Sequence, residues 1–369
     1  MQGPLTLRRV RYRSSLGQRD IYPLDDQLKL PPGNLTPSLA QRAARLATHM
    51  SFATASEELQ AQHGLRISDS TLDVLVQNVG GVADADRQQK LDQLAAAAAG
   101  VAREEQIVVE EIVPRPKTLC ISVDGILYPT RLREPDADRP DENRLIYQEM
   151  KCGCVFWEDP DGRMHKRVIY GRDDPERFGL SVWQLAVQCG LLQTDHVVFI
   201  SDGGTWCQSI YAQYFPEAVR IIDFFHLSEY VWKAAHGLYA DPAQARSWAG
   251  ECLRILKESS GMCLLRHLQR SRAARRGTND QTLEPLDHLM AYLEPRVPYT
   301  DYSAYRTNDF PIGSGMMEST CKHLVGLRLK GSGRQWQESG ALAMTALNAL
   351  RINGQWSHFW NTHPQSRAA

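Results

Sequence analysis

Apolar and polar positions in the second half of the chain follow a pattern that predicts an α/β domain. Three short apolar stretches come first, and strands then alternate with amphipathic helical stretches, giving the order β-β-β-α-β-α-β-α. The predicted strands cover 118–124, 147–157, 163–170, 196–202 and 218–224, and the predicted helices cover 175–189 and 205–214 and resume near Leu227. A meander of strands followed by alternating units is typical of a mixed sheet.

The first 110 residues predict helices and no sheet. The predicted helices begin at Thr36 as N-cap with Pro37 in first position, cover 52–63, begin again at Ser68, and include a longer connecting helix over 84–107. Helix, glycine-bearing turn, helix is the spacing of a helix-turn-helix, but any small helical bundle offers it too. Asp69 and Asp73 lie on the expected recognition helix, where their negative charges would repel DNA phosphates. A basic arm precedes these helices. Such an arm either contacts phosphates or is simply solvated.

Length and composition predict a chain of several parts with no membrane span. The 369 residues, 43% of them apolar, suffice for two or three domains. We divide them into a basic arm and helical region (1–110), the first part of an α/β core (111–240), a basic helical insertion (241–305) and C-terminal helices that complete the core (306–369). No apolar run reaches the roughly 18 residues of a membrane span.

Charge and cysteine content narrow the classes of function. A net charge of -1 carries no global basic signal, so a polyanionic partner must be argued from local patches. The eight cysteines contain no CxxC pair, which favours reduced thiols in a cytoplasmic protein over a disulfide framework or a zinc site.

Acidic residues at the predicted strand ends indicate chemistry at one edge of the sheet. Asp124 in SVDG and Asp202 in SDGG each follow a buried strand, and Asp223 follows the next one. The element order is that of the ribonuclease-H-like fold, in which the first and fourth strands end side by side, so Asp124 is expected beside Asp202. A later helix from about Gly315 would bring Glu318 to the same place. The alternative for Asp202 and Asp223 is a helix cap.

Three carboxylates without a Cys/His cluster are suited to Mg²⁺, which prefers hard oxygen ligands. Two Mg²⁺ ions about 3.5–4 Å apart, with Mn²⁺ able to substitute, would support phosphodiester cleavage. His226 would orient a ligand, contact DNA, or be an ordinary core histidine. Lys322, one turn after Glu318, would meet the scissile phosphate or pair with the carboxylate.

Four stretches of the sequence resemble a known family. SVDG, SDGGTW, FPEAVRIIDFFHLSEYVW and IGSGMMESTCKHLVGLRLKGSGRQW are similar to the DDE-type transposases of the ISKra group of bacterial insertion sequences, relatives of the Mutator-like elements, over about residues 110 to 355. The resemblance implies a catalytic, metal-binding triad of Asp124, Asp202 and Glu318, and places the family's Asp-x-x-His signature on Asp223 and His226. Such proteins often carry a cysteine-bearing ribbon near the N-terminus, where this chain has no cysteine.

The implied partner is double-stranded DNA, both transposon ends and target, bound by a homodimer or larger assembly. Basic residues expected to contact backbone phosphates in a groove flanking the acids are Arg328, Lys330, Arg334, Arg270, Arg275 and Arg276. Trp206, Trp232 and Trp336 would stack an unpaired base or, more commonly for tryptophan, belong to the core. Two other functions stay open: a catalytically silent DNA-binding protein derived from a transposase, and a carboxylate-dependent glycoside hydrolase.

Overall fold

A five-stranded mixed sheet organises the α/β part of the chain. The computed structural model describes residues 8, 10–12, 22–28, 35–97, 105, 107, 116–135, 143–275 and 280–363. The strands are β1 Thr118–Pro135, β2 Asn143–Glu158, β3 Met164–Gly171, β4 His196–Ser201 and β5 Val219–Ile222. Their spatial order is β3-β2-β1-β4-β5, in which β2 runs antiparallel to β1 and β3, and β4 runs parallel to β1 and β5. The predicted mixed sheet and its order along the chain are confirmed.

Helices surround this sheet. Those before it are α1 Pro23–Leu28, α2 Pro37–Ala47, α3 Phe52–His63 and α4 Asp69–Ala96. Those within and after it are α5 Pro175–Gln188, α6 Thr205–Tyr214, α7 Phe224–Leu238, α8 Pro242–Glu258, α9 Gly261–Ala274, α10 Asp280–Leu293, α11 Tyr302–Thr307, α12 Gly315–Cys321, α13 Leu327–Leu329, α14 Glu338–Ile352 and α15 Trp356–Thr362. A π-helical turn, Lys322–Gly326, joins α12 to α13, and short 3-10 turns cover Leu191–Gln193 and Glu294–Tyr299. None of the helices in the described ranges is both long and apolar enough to cross a membrane.

Two element boundaries differ from the prediction at the residues of chemical interest. β1 does not end at Asp124 but continues to Pro135, because β2 keeps pairing with it beyond that point, with Asp124 opposite Cys152. Helix α7 begins at Phe224 rather than near Leu227, because the Asp223 carboxylate accepts a hydrogen bond from the Phe225 N–H (2.8 Å) and so caps the helix.

Helices α2, α3 and α4 start as predicted, whereas α1 lies in a stretch that was expected to be irregular. Thr36 caps α2 by accepting a hydrogen bond from the Leu39 N–H (3.3 Å), and α3 ends at Gly64 in the left-handed conformation with φ 66°. The third helix and the connecting helix are one continuous element, α4. Its glycine pair does not break it, because Gly80 packs against α14, where an added Cβ would lie 2.2 Å from the Ala343 carbonyl oxygen.

The core lies on both faces of the sheet. Leu119, Ile121 and Val123 of β1 pack with α5 and α6 on one face, as strand alternation requires. The other face belongs to a larger core that is continuous from α4 (Val79) to α14 (Met344). The four-part division of the chain stays a prediction, but helices α2 to α4 share their core with the C-terminal helices. All eight cysteines are free thiols, and seven of them are buried.

Candidate functional site

Three aspartates lie at the carboxyl edge of the parallel strands because the strand register brings them there. The β1–β4 pairing ends at Ser122↔Ile200, and the β4–β5 pairing ends at Ser201↔Ile222. Asp124 and Asp202 each follow the last β1–β4 pair by two residues, and Asp223 directly follows β5. Parallel strands that end in register place their last side chains at one edge, where open α/β sheets bind ligands.

A pocket of about 290 Å³ opens at this edge. Asp124, Asp202 and Glu318 all line it, together with Asp223 and His226. Its other lining residues are Ser122, Val123, Ser201, Glu229, Ser314 and Met317. The structure thus places the sequence-predicted acids and His226 around one cavity. Lys322 is exposed and does not line this cavity.

Glu318 reaches the pocket from the short helix α12, near its N-terminal end, and is exposed. The helix widens one turn later, since Lys322–Gly326 is π-helical. Single π-turns inside helices occur frequently at functional sites. This change of geometry means that the spacing expected for a regular helix does not apply beyond Lys322.

Asp124 is partly buried, and its surroundings change its pKa. Burial raises its pKa to about 6, and repulsion from Asp202 acts in the same direction, whereas a hydrogen bond from the Gly125 N–H (2.7 Å) and the nearby His226 lower it. A buried carboxylate beside another carboxylate favours either a proton or a bound cation. Negative charge is therefore concentrated at this end of the pocket.

Buried thiols contact both central carboxylates. The Cys207 Sγ–H donates to Asp202 Oδ1 (3.5 Å), and the Cys321 Sγ–H donates to Asp124 Oδ2 (3.9 Å). Burial, with the Asp202 charge next in importance, raises the pKa of Cys207 well above its usual range. The thiol therefore stays neutral and acts as a weak donor that orients the carboxylate.

Asp223 has a structural role as well as a place in the pocket. It is 4% exposed, and while one carboxylate oxygen caps α7, the other accepts a hydrogen bond from the Ser314 hydroxyl. This second bond ties β5 to the residue just before α12. Asp223 therefore helps to fix the helix that carries Glu318.

Sequence reasoning missed two residues of the helical insertion that hold the end of β4. The Tyr292 hydroxyl donates to the Asp202 carbonyl, and Arg296 donates to the Gly203 carbonyl (2.7 Å) while lying 4.1 Å from the centre of the Tyr292 ring. Gly203 has φ 82°, and an added Cβ would lie 2.5 Å from Arg296 Nε. In the sequence, the only signals of this contact are a Tyr-x-x-x-Arg spacing and a Gly-Gly turn. The two lie about 90 residues apart, so no local pattern connects them.

The donor set suits a hard cation, although the side chains do not converge on one point. Among the described residues, no group of three or more His, Cys, Asp or Glu lies close enough together to hold a metal ion. Carboxylate oxygens from Asp124, Asp202 and Glu318 nevertheless share one cavity. Mg²⁺ typically takes one or two protein carboxylates and completes its shell with waters and phosphate oxygens, so a non-converged set fits it.

The basic residues predicted to contact phosphate differ from one another in their exposure. Lys330 and Arg270 are exposed and Arg334 is half-buried, whereas Arg275 donates to the Tyr239 hydroxyl and Arg276 lies outside the described residues. Arg328 does not lie on the surface as expected, since it is 2% exposed. Its guanidinium packs near the rings of Phe52 and Trp336 and donates to the Ala47 carbonyl (2.6 Å). Apolar burial of the helix brings this side chain inward.

Two known proteins resemble this chain at a distance. No family model matches the sequence. The chain is 24% identical over 386 residues to the UPF0236 protein in vanSb 3'region of Streptococcus gallolyticus, across 98% of this chain and 74% of that protein. It also aligns with the Drosophila P element transposase strand transfer complex at 11% identity and a TM-score of 0.31, over 90% of this chain and 83% of the other. A TM-score of this size does not establish a common fold.

Proposed function

We propose that this protein is a DDE transposase that cleaves DNA at the ends of an insertion sequence and transfers the strands to a target. The observation that supports it best is the shared pocket of Asp124, Asp202 and Glu318 where the parallel pairing of β1 and β4 ends. These are the positions at which the resemblance to the ISKra group expects the triad. Assignment to that group, and to the ribonuclease-H-like fold through the strand order β3-β2-β1-β4-β5, forms part of the proposal.

Asp124, Asp202 and Glu318 would hold Mg²⁺, with Mn²⁺ as a substitute. When bound, a pair of such ions polarises the scissile phosphate and activates a water or a 3′-hydroxyl. The protein supplies a fixed cluster of negative charge at the sheet edge. Because Asp124 is partly buried and repelled by Asp202, its carboxylate gains the most from a neighbouring cation.

The surrounding residues position this cluster. Cys207 and Cys321 orient the two aspartates, and Tyr292 and Arg296 hold the backbone that follows β4. Asp223, through Ser314, anchors the start of the helix that bears Glu318. His226, which lines the pocket near the stacked rings of Tyr230 and Tyr292, would contact DNA or a metal ligand.

The implied partner is double-stranded DNA bound by a dimer or larger assembly, with exposed Lys330 and Arg270 as candidate backbone contacts. The N-terminal helices α2 to α4 have the order of a helix-turn-helix, and we propose that they contribute to DNA binding. A catalytically silent DNA-binding protein would use the same surfaces without cutting. The test must therefore separate binding from cleavage.

Glu318→Gln makes that separation. Glutamine keeps the size and the acceptor oxygen of Glu318 but loses its charge, so fold and DNA affinity should be retained. Mg²⁺-dependent cleavage of the element's end should fall by on the order of 10²–10³ or more, since removing one stabiliser of transition-state charge typically costs that much.

Asp124→Asn and Asp202→Asn should behave in the same way. Glu229→Gln is the matched control, because it changes an acid that lines the pocket but stands outside the proposed triad. Cleavage by Glu318→Gln at the parent rate would remove Glu318 from the triad. If the parent protein binds DNA but does not cut it when either Mg²⁺ or Mn²⁺ is present, the catalytically silent DNA-binding protein is favoured.

A further inference from the structure

A second pocket, of about 270 Å³, lies between the N-terminal helices, strand β1 and the turn before α14. The turn pairs with β1, since the Trp336 N–H donates to the Pro129 carbonyl (3.2 Å) and the Arg131 N–H donates to the Trp336 carbonyl (3.0 Å). Arg131, Arg328 and Arg334 all line the pocket. Neither the triad nor its positioning residues contribute to it.

The three arginines have no carboxylate partner among the described residues. Their side-chain hydrogen bonds go to backbone carbonyls: Arg131 to Gln335 (3.5 Å), Arg334 to Leu327 (2.7 Å) and Arg328 (2.9 Å), and Arg328 to Ala47 (2.6 Å). Asp73 is the one acid among the described residues that line the pocket, and it forms no ion pair with any of them. Three positive charges therefore face one negative charge.

Arg328 gives the strongest indication of an anion site, because it is 2% exposed and yet lines the cavity. Its guanidinium lies 5.2 Å from the centre of the Phe52 ring and 5.8 Å from that of Trp336. Burial, with Arg334 acting in the same direction, lowers its pKa to about 10, so it remains charged at neutral pH. A buried charge is costly unless an opposite charge compensates it, and the described part of the protein supplies none.

Two helix N-termini border the same cavity. Phe52 begins α3, whose N-cap Ser51 accepts a hydrogen bond from the Thr54 N–H (3.0 Å). Gln337, the N-cap of α14, makes no side-chain capping hydrogen bond. These helices have 12 and 15 residues, long enough for a positive N-terminal dipole. Backbone N–H groups at helix N-termini are common ligands of phosphate.

We propose that this pocket binds a phosphate group of a DNA strand, an inference that rests on the proposed function. Arg131 and Arg334 contact the phosphate, and Arg328 provides positive charge beneath it. Thr130, which bridges to Trp336, lies six residues beyond Asp124 on β1, or roughly 20 Å at about 3.3 Å per residue. At about 3.4 Å per nucleotide, the phosphate would lie some six nucleotides from the cut.

The test measures DNA affinity of R131Q/R334Q over a range of salt concentrations, in the D124N background and without divalent metal. Losing the contacts to one phosphate should reduce affinity about tenfold or more and lower the salt slope by about one. R163Q is the control, because exposed Arg163 lies in the β2–β3 turn at the opposite end of the sheet. An unchanged affinity and slope in R131Q/R334Q would overturn the proposal.

Neutral methylphosphonate linkages then identify the phosphate. Substitution at one position, some six nucleotides from the cut, should weaken binding of the D124N protein and have no further effect on the R131Q/R334Q variant. An equal loss in both proteins at every position would overturn the assignment. If inorganic phosphate raises the melting temperature in an arginine-dependent way while DNA binding is unaffected, the pocket holds a free anion and the DNA assignment is wrong.

These outcomes are separate from those for catalysis. Binding is measured in D124N, so no cleavage is needed. Arginine-dependent binding by a protein that never cuts DNA would overturn the transposase proposal and leave the phosphate pocket standing.

Discussion

Asp124 combines three conditions that rarely coincide in a surface carboxylate. It is partly buried, it lies near a second carboxylate, and it accepts hydrogen bonds from the Gly125 N–H and the Cys321 thiol. Burial, Asp202 and Glu149 oppose the charged form more strongly than the Gly125 N–H and the nearby His226 favour it, so the pKa rises to about 6. Folding thus places a carboxylate where its charge costs free energy.

Asp124→Asn should remove that cost and change the pH dependence of stability. In chelator, folded Asp124 titrates near 6 but unfolded Asp124 near 3.8, so the folded state binds more protons between these values. The contribution of Asp124 to the free energy of unfolding therefore falls as pH rises from about 4 to 6. At pH 7 the variant should be more stable by on the order of 2–3 kcal/mol, since each pKa unit corresponds to about 1.4 kcal/mol.

Urea unfolding at pH 3 to 8 measures this difference, which should vanish at the acidic end of the range, below about pH 4. Asp195→Asn, an exposed change, is the control and should follow the parent at every pH. A stability difference between the variant and the parent that does not grow from pH 4 to pH 6 would contradict the raised pKa of Asp124.

At the scale of elements, one close helix crossing joins the N-terminal helices to the rest of the molecule. Helix α4 meets α14 at Gly80, where the absence of a side chain allows the Ala343 backbone to approach. The same approach explains why a glycine pair lies inside a 28-residue helix without ending it. Tertiary packing here outweighs the low helix propensity of glycine.

Gly80→Ala and Gly81→Ala should therefore change stability in opposite directions. The added Cβ at Gly80 would lie 2.2 Å from the Ala343 carbonyl oxygen, and such overpacking typically costs about 1–3 kcal/mol. At Gly81 nothing lies within 4 Å, so alanine should raise the free energy of unfolding by up to about 1 kcal/mol through helix propensity. Urea unfolding of the two variants measures both values, and equal stabilisation by both would contradict the crossing.

At the scale of the whole molecule, the N-terminal helices and the C-terminal helices depend on one core. Leu72, Val76 and Val79 of α4 belong to the same apolar cluster as Ala341 and Met344 of α14. Burial of such side chains contributes roughly 1.5–3 kcal/mol each, so separating the two parts would expose a large apolar surface.

A chain that begins at residue 98 should accordingly fail to form a stable monomer. It would retain the sheet but expose the face of α14 that α4 covers. We expect strong binding of a hydrophobic dye and aggregation on size-exclusion chromatography, with the full chain as the reference. A monomeric fragment with a cooperative unfolding transition would show that α2 to α4 are a separate unit.

Patterns within short stretches of sequence were sufficient for the order of elements. Short apolar stretches predicted all five strands, and α6 has the predicted bounds, because backbone propensity and side-chain periodicity act over a few residues. Asp202 and Asp223 follow their strands as the pattern predicts, whereas Asp124 lies within β1, two residues beyond its last pair with β4. The position of Glu318 depends on a helix that packs at this edge, which the strand order alone does not specify.

Contacts between distant residues account for what sequence patterns missed. β1 extends past Asp124 because β2 continues to pair with it, and α4 continues past its glycines because α14 packs there. Arg328 reads as a surface cation in a basic stretch, yet it is buried against Phe52, about 276 positions earlier. Burial and partnership are properties of the packed chain, and a residue's neighbours in sequence do not specify which distant surface will cover it.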